Sequence, residues 1–265
     1  MHHETLDRLS RGNSPVHRFD PRVKIVSVVL FTFVLIATDK YEIAGLAPFV
    51  LFPAFLVLFG GVPLGFLVRG IALGIPFVFM VAVFNPLFDT APQTLRFGAA
   101  EWTMSGGAVS CINIILRFLL TASALVAVMA TTPFHRIVNG LRRMHFPAML
   151  LMVLSFLHRY LFVLVDVARR MRRARDSRAV GGSAGGGGLT LGLRFRASAG
   201  VLGVLFLRSL DQSERVYAAM RSRGFSGELP ALEDLRMRSG DWVFLGVFSV
   251  YAALLFLNGH PLAFR

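Results

Sequence analysis

The sequence has almost no cysteine and almost no lysine. Cys111 is the only cysteine, which excludes a disulfide framework, a cysteine-based metal cage and a Cys-x-x-Cys redox pair. The only lysines are Lys24 and Lys40, and neither follows a glycine as the phosphate-binding loop G-x-x-x-x-G-K-[ST] requires. The sequence therefore predicts neither redox chemistry nor ATP hydrolysis by that route.

Other residue clusters that carry chemistry are also missing. None of the seven histidines forms an i, i+4 pair or a close set with carboxylates. No serine lies in a G-x-S-x-G elbow, and no carboxylate lies within the five predicted membrane spans, where a proton relay would need one. We predict no catalytic residue, no metal site and no cofactor.

Apolar residues and arginine are abundant instead. Of the 265 residues 55% are hydrophobic, and the mean hydropathy is +0.63, far from the composition of a soluble domain. The net charge of +13 comes almost wholly from arginines that alternate with apolar runs, which is typical of cytoplasmic loops between membrane spans. We expect an all-α polytopic protein of the cell inner (plasma) membrane that contacts membrane lipids and no nucleic acid.

Five apolar segments are long enough to cross a bilayer, at roughly 23–38, 43–61, 70–88, 112–132 and 242–258. Basic residues before the first span predict a cytoplasmic N-terminus, and five spans then place the C-terminus outside. A sixth apolar run, 146–167, precedes six arginines in residues 169–178. Spanning would put these arginines on the outer face, so we expect that run to lie at the cytoplasmic interface, although hydropathy alone leaves a span open.

The chain is therefore predicted to have four parts. They are a cytoplasmic N-terminal segment (1–22), membrane helices one to four (23–132), a helical cytoplasmic domain (133–238) with a Gly-rich link (181–188), and the last membrane helix with an external C-terminus (239–265). Lys24 lies at the very start of the first predicted span, whereas Arg117 lies within the fourth and is the one intramembrane charge that requires an explanation. We expect it to snorkel to the outer surface or to pair with a polar group on a partner.

Two helices of the cytoplasmic domain each carry an apolar stripe that ends in an arginine. The first stripe is Val167, Met171, Ala174 and Arg178. The second is Val216, Ala219, Met220 and Arg223. The spacing of Ser209 and Gln212 predicts the start of the second helix, and Gly224 predicts its C-terminal cap. In one interpretation, the arginines simply complement the helix dipole and anionic lipid headgroups. Alternatively, each stripe and its arginine dock in a groove on a soluble partner.

Several motifs resemble those of the transmembrane T components of energy-coupling factor (ECF) transporters. Residues 14–24, S-P-V-H-R-F-D-P-R-V-K, are similar to the family's sequence at the start of the first span. Residues 168–179 and 213–227 resemble its paired Ala-Arg-Gly-type motifs, and Asn-Pro-Leu-Phe at 85–88 also matches. The closest branch resembles CbiQ of cobalt uptake systems, from which the nickel counterpart is hard to separate.

The resemblance implies a scaffold that transmits ATPase motion through crossed amphipathic coupling helices. Its implied partners are two ABC-type ATPase subunits (CbiO-like), a substrate-binding membrane subunit (CbiM-like) and a small accessory subunit (CbiN-like). The implied process is ATP-driven import of cobalt, or nickel, which supports cobalamin biosynthesis. The alternative function is a self-sufficient membrane channel or an ion-driven carrier, whose expected midplane charges or broken helices have only Pro76 and Pro86 as hints here.

The coupling residues implied by the resemblance fall at the ends of the two striped helices. They are Arg178, Arg223, Ala174, Arg175, Ala219, Met220 and Gly224. The second motif, Ser222-Arg223-Gly224, is close to the family pattern, whereas the first, Ser177-Arg178-Ala179, lacks the glycine. We favour Arg178 because it continues the first stripe to the helix end, and Arg175 is the alternative.

Overall fold

A computed structural model describes residues 9–10, 12, 14–38, 44–88, 92–97, 100–178, 191–227 and 237–258. The chain divides into two compact units, one made of Met1–Gly140 with Asp234–Arg265 and the other of Leu141–Glu233. The predicted Gly-rich link 181–188 lies outside the described residues.

The elements run in chain order as helices with one short hairpin. They are α1 (Pro15–Arg18), α2 (Pro21–Ala37), two 3-10 turns (Ala44–Leu46 and Pro48–Val50), α3 (Leu51–Gly60), α4 (Leu64–Ala72), α5 (Ile75–Phe88), β1 (Pro92–Phe97), β2 (Ala100–Ser105), α6 (Gly106–Thr131), α7 (Phe134–Arg143), α8 (Ala148–Arg178), α9 (Leu191–Ser222) and α10 (Ser239–Asn258). The predicted helical fold class is confirmed.

The core of the first unit is aromatic and lies where α2, α3, α6 and α10 meet. Phe31 of α2 packs against Phe52 of α3 with ring centroids 4.9 Å apart, and Phe52 packs against Phe248 of α10 at 4.6 Å. All three rings are buried. Burial of three large rings brings α2 and α10 together around α3.

The third predicted span, 70–88, is broken in the structure. It begins earlier, at Leu64, and α4 and α5 meet at a 52° bend. Two glycines of this region lie directly against α6. A Cβ on Gly74 would lie 2.5 Å from the Phe118 ring, and one on Gly70 would lie 3.0 Å from Val126. Glycine therefore permits the close approach of the bent span to α6.

Among the described residues, three helices and one bent pair of helices have the length and apolarity of a membrane span. By length and apolarity, Gly106–Thr131, Ala148–Ser177 and Ser239–Leu257 can each cross a bilayer, and the bent pair Leu64–Ala72 with Ile75–Phe84 can form a fourth span. Helix α2 has 17 residues, about 25 Å of helix, which is slightly short for a bilayer. The run at 146–167 lies mostly within α8, so it qualifies as a span by composition, and its interfacial position stays a prediction.

A β-hairpin that the sequence did not predict precedes α6. Strands β1 and β2 are antiparallel, with Pro92 opposite Ser105 and Phe97 opposite Ala100. It occupies the connection between the third and fourth predicted spans.

The second unit is built on two long helices, α8 with 31 residues and α9 with 32. The prediction that the second helix starts near Ser209 is wrong, because α9 begins at Leu191 and Ser209 lies in its interior. The Ser209 hydroxyl donates to the carbonyl of Phe206 at 2.7 Å. A serine that bonds back to its own helix satisfies its hydroxyl without ending the helix.

Candidate functional site

The predicted coupling residues lie at the C-terminal ends of α8 and α9, where the two helices repeat one local arrangement. On α8 the hydroxyl of Ser177 donates to the carbonyl of Ala174 at 3.1 Å. On α9 the hydroxyl of Ser222 donates to the carbonyl of Ala219 at 2.9 Å. Arg178 and Arg223 are the residues that follow these serines. The two ends thus share the pattern Ala-x-x-Ser-Arg in sequence and in hydrogen bonding.

The end of α9 is closed by a Schellman motif. Gly224 has φ +81°, its N–H donates to Arg221, and the N–H of Phe225 donates to Met220, both at 3.0 Å. Only glycine adopts this φ without strain, which explains why Gly224 follows Arg223. The predicted cap at Gly224 is confirmed. The corresponding residue after Arg178 lies outside the described residues.

Arg175, the alternative first coupling residue, pairs with its neighbour in the chain. Its guanidinium Nη2 lies 3.3 Å from Oδ1 of Asp176, and both side chains are exposed. This local ion pair holds the Arg175 side chain on α8. The equivalent position on α9 is Met220, so only the register through Arg178 repeats the arrangement around Arg223.

The two predicted stripes do not each present a single exposed face. On α9, Val216 and Met220 are half-buried and face α8, whereas Ala219 is exposed. On α8, Val167 and Met171 are half-buried and Ala174 is exposed. Val216 and Met220 line a groove within the second unit, and the coupling role of the stripes stays a prediction.

The groove between α8 and α9 has a volume of about 430 Å³. Its lining is mainly apolar and aromatic and consists of Met152, Val153, Phe156, Leu157, Tyr160, Val163, Leu164, Ser209, Gln212, Ser213, Val216, Tyr217, Met220 and Phe225. The sequence did not reveal this groove, because it forms only when the first half of α8 meets the second half of α9.

The two arginine-bearing ends lie at different distances from the groove. Met220 and Phe225, which flank Arg223 in sequence, both line it. Arg178 follows Leu164, the last groove residue of α8, by fourteen positions, which is about 21 Å of helix. The end of α9 therefore lies at the groove, and the end of α8 lies well beyond it.

In the first unit, the motif at 14–24 forms a compact junction around His17. The Ser14 hydroxyl lies 2.6 Å from Nδ1 of His17, and Nε2 of His17 lies 2.9 Å from the carbonyl oxygen of Leu9. Burial lowers the pKa of His17 from its ordinary value of 6.5, the hydrogen bond to Leu9 raises it, and the charge of Lys24 lowers it further. The net direction is downward, which favours the neutral ring.

Asp20 and Asp241 join the start of α2 to the start of α10. The side chain of Asp20 caps α2 by accepting from the N–H of Arg22 at 2.9 Å. Asp241 accepts from the N–H of Asp20 at 3.0 Å through Oδ1 and from the N–H of Arg238 at 2.8 Å through Oδ2. Both carboxylates are buried. Asp241 thus satisfies backbone donors from two distant parts of the chain.

Two cations connect α2 and α6. Nζ of Lys24, in α2, donates to the carbonyl of Thr131 and to the hydroxyl of Thr132, both at 3.0 Å. Arg117, in α6, donates to the carbonyls of Thr38 at 2.7 Å and Ile36 at 3.4 Å. Arg117 therefore has partners within its own chain, at the C-terminal end of α2. Sequence reasoning missed both links, because their partners are mainly backbone groups more than 75 positions away.

The described residues contain no group of three or more His, Cys, Asp or Glu side chains that could hold a metal ion.

Comparisons with known proteins give consistent results over most of the chain. The family described as "CbiQ: Cobalt transport protein" matches residues 12–232. The chain is 30% identical to the energy-coupling factor transporter transmembrane protein EcfT of Thermanaerovibrio acidaminovorans, with 96% of each chain covered. It is 28% identical to the EcfT protein of Bacillus selenitireducens over 91% of this chain and 92% of that one, and 26% identical to that of Bacillus subtilis over 82% of each.

Proposed function

Because the chain belongs to the CbiQ family, the transmembrane components of energy-coupling factor transporters, we propose that it couples ATP hydrolysis to the import of a divalent transition metal, cobalt or nickel. The chain is a multi-pass membrane subunit and is itself non-catalytic. The ions are substrates of the complex, and the chain contributes the mechanical connection between its parts.

The observation that carries this proposal is the repeated Ala-x-x-Ser-Arg end of α8 and α9. Two equivalent ends suit two equivalent partners, and a pair of ABC-type ATPase subunits (CbiO-like) provides them. An arginine at a helix end can donate two parallel hydrogen bonds to a carboxylate or to backbone carbonyls in a docking cleft. We assign that role to Arg178 and Arg223, with the small exposed Ala174 and Ala219 allowing close approach.

The packing of α8 against α9 supplies a route for motion. When ATP binding brings the two ATPases together, each would displace the helix end that it holds. Since α8 and α9 contact each other along the groove, displacement of one helix changes its angle to the other. The substrate-binding membrane subunit (CbiM-like), with a small accessory subunit (CbiN-like), would respond to that change by releasing the ion inward.

The proposed orientation places the segment 133–238 in the cytoplasm, where ATP is available. The N-terminus is then cytoplasmic and the C-terminus external, as the distribution of arginine predicts. Single cysteines introduced at Arg196 and at Arg265, in a Cys111→Ser background, would test this orientation. An impermeant maleimide added to intact cells is expected to label position 265 and not position 196, and the reverse pattern would contradict it.

Charge reversal tests the coupling role. Arg178→Glu and Arg223→Glu are each expected to abolish ATP-dependent uptake of radioactive cobalt by cells that carry the whole transporter. The matched control is Arg196→Glu, the same charge change at an exposed position in the first half of α9. Immunoblots of membranes would show that all three variants insert equally. Undiminished uptake by both Arg178→Glu and Arg223→Glu would overturn the proposal.

Two further experiments test the proposed partner subunits and the identity of the transported ion. A tagged chain from gently solubilised membranes is expected to bring down an ATPase with a phosphate-binding loop and a small membrane protein, and the two arginine variants are expected to lose the ATPase. Competition of unlabelled nickel against cobalt would identify the preferred ion. Cobalt flux by the purified chain alone in liposomes would instead support a channel.

A further inference from the structure

The groove between α8 and α9 combines an apolar floor with a basic edge. Phe156, Val163, Val216 and Met220 contribute to the floor, and Gln212 lines the groove nearby. Nη2 of Arg215 donates to Oε1 of Gln212 at 3.2 Å, which holds the guanidinium beside the groove. Because Oε1 of Gln212 accepts this bond, its amide N–H groups are directed elsewhere and can donate to a ligand.

The basic edge continues along α9. Arg208, Gln212, Arg215 and Ala219 are spaced by four, three and four residues, which places them in one stripe on a helix. Arg208 and Arg215 are exposed, and the exposed Asp211 lies between them, three residues after Arg208 and four before Arg215. With two arginines and one acid, this flank of the groove carries a net positive charge.

The helix opposite this edge requires an apolar environment. The segment Ala148–Ser177 has a window with a mean hydropathy of 2.0, the range of a membrane span, yet only 6% of that window is buried within the protein. Met149 and Leu157 are among its exposed apolar side chains. Hydrocarbon in contact with α8 would remove this surface from water.

We propose that the groove binds one anionic phospholipid. One of its two acyl chains lies on the floor between α8 and α9, and its phosphate accepts hydrogen bonds from Arg215 and from the amide of Gln212. An apolar slot beside a guanidinium matches a molecule that is apolar along its length and anionic at one end, and it matches a purely apolar protein helix less well. The bound lipid would form part of the contact surface between the two helices.

Native mass spectrometry of the purified full chain tests whether the lipid must be anionic. The chain is released from micelles that contain equal amounts of phosphatidylglycerol and phosphatidylcholine with the same acyl chains. We expect the wild type to retain one phosphatidylglycerol in preference to phosphatidylcholine. Arg215→Gln is expected to lower that retention about tenfold, since it removes the charged donor. The matched control is Arg196→Gln, which removes an exposed arginine thirteen residues before Ser209, about 20 Å along α9.

A second variant tests the apolar part of the site. Ser213→Phe fills the groove and is expected to reduce the retention of both lipids, with the helical content checked by circular dichroism. Equal retention of phosphatidylglycerol by the wild type, Arg215→Gln and Arg196→Gln would show a nonspecific lipid shell and overturn the proposal, whether or not Ser213→Phe folds.

A photo-reactive amino acid in place of Tyr217 distinguishes a lipid from a protein occupant in the complete transporter. Irradiation of native membranes is expected to add the mass of a phospholipid to the chain. Cross-linking of most of the chain to another protein would show that a partner helix fills the groove and would also overturn the proposal. This result is separate from ATP-driven uptake, which Arg178 and Arg223 test.

Discussion

The side-chain nitrogen of Lys24 lies 3.0 Å from the carbonyl oxygen of Thr131, at the last residue of α6. Arg117 makes the reverse connection, from α6 to the carbonyl of Thr38 at the end of α2. Carbonyls at helix C-termini have no partner within their helix and carry the negative end of the helix dipole. The two helices therefore stabilise each other's ends reciprocally.

Replacing Lys24 with methionine is expected to lower the free energy of unfolding by about 2 kcal/mol, the cost of leaving a buried acceptor without its hydrogen bond. Methionine approximates the length of the side chain but leaves the Thr131 carbonyl without this donor. Thermal unfolding of the purified chain in detergent, followed by size-exclusion chromatography, measures the change. Arg69→Met is the control, because it removes an exposed cation from α4. A Lys24→Met variant as stable as Arg69→Met would contradict the role of this link.

The junction at His17 predicts a loss of stability in acid. The pKa of His17 is lowered in the folded chain, so the unfolded chain binds a proton more readily. The contribution is fully present above the unfolded pKa of 6.5 and is lost as the pH falls below it. The melting temperature of the wild type is therefore expected to fall between pH 7.5 and pH 5, and His17→Gln is expected to show a smaller fall.

The matched control for the pH experiment is His135→Gln, because His135 is an exposed histidine of the first unit. It is expected to keep the wild-type dependence on pH. If the wild type and His17→Gln show the same slope, His17 does not contribute to the acid sensitivity.

The choice between Arg175 and Arg178 gives a separate prediction. Arg175→Glu removes a local ion pair with Asp176, whereas Arg178→Glu reverses the charge that follows the serine of the repeated pattern. We expect Arg175→Glu to retain most ATP-dependent cobalt uptake and Arg178→Glu to lose it. Measurements on the two variants at equal membrane levels decide the register, and the opposite ranking would assign the contact to Arg175.

His145 occupies a position that suits glycine. Its φ is +63°, and the N–H groups of His145 and Phe146 donate to Arg142 at 3.3 Å and Leu141 at 3.4 Å, which closes the end of α7. His145→Gly is expected to raise the free energy of unfolding by up to about 1 kcal/mol by relieving this backbone strain. Gly224→Ala is expected to lower it by a similar amount. A loss of stability in His145→Gly, read by the same thermal assay, would show that the imidazole has a role of its own.

Local signals in the sequence predicted the features that depend on neighbouring residues. Arg178 at the end of α8 and Gly224 after α9 were both recognisable, because the signals that end a helix lie within one helical turn. The helix start predicted at Ser209 was wrong for a related reason. Ser209 and Gln212 keep the spacing of a capping box even though Ser209 lies inside a helix and bonds back to the carbonyl of Phe206.

Features made by distant segments were not predictable in this way. The groove needs side chains from two helices, and the links from Lys24 and Arg117 end mainly on backbone carbonyls, which have no sequence signature. In the sequence, Pro76 and Pro86 were the only hints of a broken helix in the third span. The angle of the bend depends on packing against α6, which only the structure shows.

The bond between Asp20 and Asp241 has a consequence for biogenesis. Its two residues are 221 positions apart, so the amide of Asp20 reaches the membrane long before its acceptor is synthesised. At about 5–20 residues per second, the delay is roughly 10–45 s. Helix α2 therefore lies in the bilayer without this acceptor until the entire second unit has been synthesised. Completion of this junction therefore coincides with arrival of the last helix, and a chain truncated before Asp241 lacks the acceptor for the N–H of Asp20.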